Sequence, residues 1–154
     1  MVEPNCVFCR IIGGEEMVSV VYEDDRAIAF LDIQPMSRGH TLVVPKDHHE
    51  TLFDLPDDLA IHCLAVARRI MPGIRKATDA GAINVFSPNG AAGGQDVMHF
   101  HWHLIPVHEG DAFALQLPFA DAPIPMRSEL DVTAARIGRA IQSLTEETVP
   151  AGTD

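Results

Sequence analysis

The sequence predicts an α+β fold: a five-stranded antiparallel meander sheet with one main helix and a C-terminal helix. Three observations predict it. Short runs rich in β-branched and aromatic residues are separated by turn-forming residues. A long stretch after Pro56-Asp57-Asp58 repeats apolar residues at helical spacing. A last stretch opening at Ser128 does the same.

The elements follow in chain order. Residues 1–5 read as a loose end. A Cys6-x-x-Cys9 knuckle precedes Ile11-Ile12 and the turn-like Gly13-Gly14. Residues 17–23 read as a first strand and Ala27–Asp32 as a second, joined at Asp24-Asp25 into a hairpin. Gln34–Gly39 is a loop punctuated by Pro35 and Gly39. His40–Val44 is a third strand, closed by Pro45. The main helix carries Leu59, Cys63, Val66 and Ile70 on one face, and Pro72-Gly73 is expected to end or kink it. Residues 82–87 form a fourth strand, followed by a turn at Ser87-Pro88-Asn89-Gly90. A fifth strand carries the histidines of His99-Phe100-His101-Trp102-His103. The chain is then proline-rich and loop-like to about Arg127. Ser128 and Asp131 are placed to cap a helix bearing Leu130, Ala134, Ile137, Ile141 and Leu144. Residues 147–154 read as a frayed tail.

The 154 residues suit one domain, with a core at 6–106 and a C-terminal loop and helix at 107–146. That length supports a core without disulfide staples. Twenty-two acidic residues against 11 basic ones give a charge of −11, which opposes binding to a nucleic-acid backbone. No apolar run is long enough to span a bilayer, and no signal-peptide pattern opens the chain. A cytoplasmic protein is expected. In a reducing compartment the Cys6-x-x-Cys9 pair reads as metal-binding or redox-active, whereas Cys63 reads as a small buried core residue.

Residues 93–106 carry the chemistry. Histidine recurs at every second position, at His99, His101 and His103, with Phe100, Trp102 and Leu104 between and after. Period two puts three imidazoles on one strand face and the apolar groups on the other. Adjacent same-face Cα atoms lie about 6.6 Å apart, so three rings span about 13 Å and do not share one centre. Just upstream, Gly93-Gly94-Gln95-Asp96 can turn backbone N–H groups toward an anion. An imidazole largely neutral at pH 7, beside a phosphate-sized nest, points to attack at phosphorus.

These residues resemble the histidine triad (HIT) family, whose motif His-φ-His-φ-His-φ-φ is matched by His99-Phe100-His101-Trp102-His103-Leu104-Ile105. Gln95, Pro106, Gly39-His40, Pro45-Lys46-Asp47-His48 and Cys6-Val7-Phe8-Cys9 match as well, so the likeness covers about two thirds of the chain. It implies a five-stranded antiparallel sheet with a helix, paired as a homodimer. It implies attack by His101 on the α-phosphorus of a purine nucleotide conjugate, such as an AMP phosphoramidate or a dinucleoside polyphosphate. A nucleotidyl-histidine intermediate then yields to water. His103 would contact the phosphate or leaving group. Gly94, Gln95, Asp96 and Val97 would line the phosphate, with the Asp96 carboxylate turned away. Asp32 would hold the ribose hydroxyls and Ile33 would pack on base or sugar. The resemblance also implies a structural zinc on Cys6, Cys9, His48 and His99, with His49 as the fallback for His48. His40, His62 and His108 receive only surface or local hydrogen-bonding roles.

One departure stands out. Many family members have an amide side chain seven residues before the position of Gln95; here Pro88 stands there, and the adjacent Asn89 is expected to substitute for it in binding the nucleotide. Two other functions compete with the leading one. A metal-dependent phosphohydrolase would use His101 and His103 as ligands, yet no acidic general base sits nearby in the motif. A nucleotide-binding module with little turnover is the other. The leaving group is not legible.

Overall fold

The computed structural model describes residues 3–111 and 123–147. The expected tail beyond 147, and residues 112–122 of the proline-rich loop, lie outside them. The chain forms two compact units, Met1–Ala114 and Leu115–Asp154.

The first unit is built on a five-stranded antiparallel sheet, ordered β1-β2-β3-β5-β4. Its strands are β1 (Val20–Glu23), β2 (Ala27–Leu31), β3 (Thr41–Pro45), β4 (Ala82–Phe86) and β5 (Trp102–Val107). The expected α+β architecture is therefore present. The first three strands pair consecutively, and β5 enters between β3 and β4 because the long helix α2 (Asp57–Thr78) carries the chain across to the far edge.

Each face of the sheet buries its own cluster. On one side Ala27, Ala29, Val43, Phe100 and Leu104 pack against Leu59, Cys63, Val66 and Ala67 of α2. On the other, Ile28, Phe30, Leu42 and Val44 pack against Cys6, Phe8 and Cys9. The alternation along β2 and β3 thus serves two cores, which is why both strands are apolar except at Thr41. The knuckle runs into a short helix, α1 (Val7–Ile12), which ends at Gly13, where the turn was expected. Cys63 is fully buried, and burial pushes its thiol up to about 12.

Three expectations need correction. Of the end or kink expected at Pro72-Gly73, the end is absent: helix α2 runs on to Thr78, stopping at Asp79 in the left-handed conformation. Pro72 lies on the exposed side, where water can satisfy the carbonyl it leaves free, while Ile74 beyond it is buried. The histidine strand begins later than its alternation suggests. His99 and His101 precede β5, in a segment tied across by the Phe100 N–H donating to the His49 carbonyl at 2.6 Å. The last helix, α3 (Arg127–Glu147), starts one residue before Ser128, and Glu129 caps it by accepting from the Met126 N–H at 2.9 Å.

Candidate active site

All three triad rings are fixed by partners distant in sequence. His101 is 5% exposed, and Phe8 of α1 meets its ring edge-on at 5.3 Å. Its Nδ1–H donates to the carbonyl of His99 at 2.7 Å. The ring's other nitrogen, Nε2, therefore holds the lone pair. Burial lowers the His101 pKa, against the opposing pull of the His99 carbonyl and of the Asp32 and Asp96 charges. The ring is neutral at pH 7 and competent to attack.

His103 sits in β5, opposite Leu42 of β3 and Phe86 of β4, and stacks on the Phe86 ring at 4.5 Å. Its Nδ1 lies 2.9 Å from Nε2 of His40. His40 is 1% exposed, and its Nδ1 accepts from the Met36 N–H at 3.3 Å. That places the His40 proton on Nε2, donating to His103, and leaves His103 with an N–H at Nε2. Burial, helped by the charges of His101 and His40, brings the His103 pKa down to about 4; burial likewise lowers that of His40. Asp32 Oδ2 stands 3.5 Å from His40 Nδ1. Sequence reasoning gave His40 only a surface or local hydrogen-bonding role. A histidine after glycine does not announce a partner 63 residues away. Gly39 admits His40 to this place: its φ is +90°, and a Cβ there would come within 2.5 Å of the Thr78 methyl.

His101, His103 and Asp32 line a cavity of about 910 Å³ with Ile33, Gly94, Asp96, Val97 and Pro88. Its apolar wall comes from Val7, Phe8, Ile11, Val18, Phe30 and Leu42. Ile33 is 95% exposed, held out at the mouth. Asp32 does two jobs at once: Oδ1 caps the turn by accepting from the Gln34 N–H at 2.8 Å, and Oδ2 faces His40.

Two expected contact residues stand apart from this lining. The Asn89 amide is consumed by the loop, accepting from the Leu52 N–H at 2.7 Å and donating to the Ser87 carbonyl at 2.9 Å. It does not reach the cavity to replace the amide missing at Pro88. Gln95 is buried, and its side chain accepts from Gly90 N–H at 2.7 Å while donating to the Glu50 and Val97 carbonyls. Its own N–H goes to Gly90 O. Gln95 thus braces the loop and has no donor left for a phosphate. Gly94, at φ +85°, turns the chain so that Asp96 and Val97 line the cavity. The Asp96 carboxylate is near enough to raise the pKa of His101, so it is part of the site's electrostatics.

The third ring, His99, belongs to a different cluster. One donor atom from each of Cys6, Cys9, His48 and His99 lies within 4.8 Å of the others. Cys6 Sγ is 3.4 Å from His99 Nδ1, Cys9 Sγ is 3.7 Å from it, and Cys9 Sγ is 3.4 Å from His48 Nδ1. A tetrahedral zinc with ordinary Zn–S and Zn–N bonds separates sulfur from nitrogen by about 3.6 Å. The set therefore fits such an ion. His99 Nε2–H donates to the Pro45 carbonyl at 2.9 Å, which turns the Nδ1 lone pair toward both sulfurs. His49 lies outside the cluster, its Nδ1 3.6 Å from Asp54.

Comparison with known proteins identifies the family. The family model described as HIT domain matches residues 14–110. A HIT-like protein of Methanocaldococcus jannaschii is 44% identical over 106 residues, 69% of this chain and 81% of that protein. An adenylylsulfatase of Arabidopsis thaliana is 35% identical over 143 residues, 93% of this chain and 73% of that one. An adenosine 5'-monophosphoramidase of Saccharomyces cerevisiae is 40% identical over 101 residues, 66% and 61% respectively. A crystal structure from Streptococcus mutans UA159 superposes with a TM-score of 0.84 at 34% identity, covering 90% of this chain and 87% of that one. A Zn-bound histidine triad family protein from Mycobacterium smegmatis gives 0.69 at 34% identity, covering 88% and 97%. Sheet, triad and family match all point the same way, and the chain belongs to the HIT domain family.

Proposed function

We propose that this protein is a nucleotide hydrolase or nucleotidyl transferase acting at the α-phosphate of purine nucleotide conjugates, through a nucleotidyl-histidine on His101. The observation that supports it most is the 2.7 Å bond from His101 Nδ1–H to the His99 carbonyl, which leaves Nε2 as a buried, neutral nucleophile at the cavity. Its relatives' names, adenylylsulfatase and adenosine 5'-monophosphoramidase, favour an adenylyl group on the substrate.

In this reading His101 Nε2 attacks the α-phosphorus as the bond to the leaving group breaks. His103 donates its Nε2–H to the phosphate or the departing atom. Water then attacks the phosphorus, the P–N bond breaks and the nucleoside monophosphate leaves. Gly94, Asp96 and Val97 shape the phosphate end, with Gln95 bracing their loop. Asp32 and Ile33 take the ribose and base. Cys6, Cys9, His48 and His99 hold a structural zinc that ties the knuckle to the residue just ahead of the nucleophile. The protein works in the cytoplasm as a homodimer of single-domain chains; the exposed Leu130 and Ile137 of α3 favour a further covering surface.

The test is His101→Ala. Hydrolysis of an adenosine phosphoramidate should fall by several powers of ten, each worth about 1.4 kcal/mol of barrier, while AMP still binds. Near-normal turnover in that variant would remove His101 as nucleophile.

A further inference from the structure

The cavity poses an electrostatic problem for an anionic ligand. Among its described lining residues are three acids, Glu16, Asp32 and Asp96, and neither a lysine nor an arginine. The whole chain carries −11, so the wider field does not supply the missing positive charge. Such a lining offers a cation three carboxylates and no competing positive side chain.

The ligands for a cation are already gathered. One donor atom from each of Asp32, His40 and His103 lies within 4.8 Å of the other two. None of these residues belongs to the Cys6, Cys9, His48 and His99 set. His40 Nε2 and His103 Nδ1 are 2.9 Å apart and share one proton, so moving that proton to His40 Nδ1 frees a lone pair on each ring. Both rings are kept neutral by burial, as a metal ligand must be. The Asp32 side chain is 18% exposed, so its carboxylate is reachable from the cavity. Two imidazoles and one carboxylate on the wall of an open cavity leave further coordination positions for water, the arrangement that first-row divalent ions accept.

We propose that Asp32, His40 and His103 form a second cation site that takes a first-row divalent ion in place of the nucleoside. An entering ion shifts the His40 proton from Nε2 to Nδ1, which gives up the hydrogen bond from the Met36 N–H. It also occupies Asp32 and His103, the groups assigned above to ribose and leaving group. That exclusion rests on the proposed nucleotide reading; the cation site itself does not. A free divalent ion would thereby act as a competitive brake on the enzyme.

The test uses zinc-loaded protein titrated calorimetrically with Ni²⁺. One Ni²⁺ per chain should bind beyond the zinc. Asp32→Asn and His40→Gln should each weaken that binding at least tenfold, whereas His108→Gln should not. Saturating adenosine, which has no phosphate to chelate the ion, should weaken it comparably in the wild type. Absence of Ni²⁺ uptake, uptake unchanged in both site variants, or simultaneous binding of Ni²⁺ and adenosine would each overturn the proposal. If adenosine does not bind even without Ni²⁺, the nucleotide reading alone fails, because the two site variants still decide whether the cation site exists.

Discussion

Nε2 of His40 stands 2.9 Å from Nδ1 of His103, joining the entrance of β3 to the last histidine of the triad. The Met36 N–H on the far side of His40 sets the direction of this bond, so His103 presents an N–H to the cavity. His40→Ala should free the His103 ring to take the other tautomer. We expect kcat on an adenosine phosphoramidate to fall at least about tenfold, with KM changed far less. His40→Gln retains an N–H donor and should recover part of the loss. Steady-state kinetics of both variants checks this; a pure KM effect would place His40 in binding alone.

Asp32 gives the second prediction. Its Oδ2 is not used by the turn, and a carboxylate suits two vicinal hydroxyls. The wild type should bind AMP more tightly than deoxy-AMP, and Asp32→Ala should erase most of that preference. Losing a charge-assisted hydrogen bond corresponds to about 1.5–3 kcal/mol, roughly ten- to hundredfold in affinity. Titration calorimetry of the four pairs measures it. Equal discrimination in both proteins would remove Asp32 from the ribose.

The zinc account makes a stability prediction. One zinc should bind per chain, and Cys6→Ser or Cys9→Ser should lower Tm as chelation does. Cys63→Ser should keep the metal, since Cys63 lies on the other face of the sheet, against α2. Its cost should be that of a polar group in a packed core, about 1–3 kcal/mol. Metal analysis with melting curves decides the matter. Zinc lost from Cys63→Ser alone would defeat the assignment.

Asp24 contributes to the acid limb of stability. Its Oδ1 accepts from the Arg26 and Ala27 N–H groups at 2.9 Å, and its Oδ2 from the Tyr22 hydroxyl at 2.9 Å and from His62 Nε2 at 3.0 Å. Burial opposes ionisation, but these donors outweigh it and hold the carboxyl below its usual range. The folded pKa is lower than the unfolded one, so this stability is fully present above the unfolded value, about 3.9. It is lost as pH falls through the folded value. Asp24→Asn should cost about 1–2 kcal/mol near neutrality and make stability less sensitive to pH below about 4. Urea melts at a series of pH values test this.

What the sequence made legible is what depends on neighbours in the chain. The period-two pattern marked the triad, Pro45 closed β3, and the Cys6-x-x-Cys9 spacing marked a metal-binding or redox-active pair. What stayed hidden depends on partners brought together by folding. Gln95 has the chemistry of a phosphate donor, yet its amide is spent on Gly90, Glu50 and Val97. His40 read as a surface or local hydrogen-bonding residue until β3 and β5 set it against His103. Pro72 carries a local signal to stop a helix, and the buried Ile74 beyond it shows tertiary packing overriding that signal.

The covalent step is the centre of the account, and trapping it is the most direct measurement. Wild-type protein is mixed with an adenylyl substrate, quenched within one turnover, digested and sequenced by mass spectrometry under conditions that spare phosphoramidate bonds. The account predicts an adenylyl group on His101, absent from His101→Ala and decaying in the wild type as AMP appears. An adduct on His103 or another residue would contradict it. So would full turnover with the phosphoryl group passed directly to water and no adduct at any time.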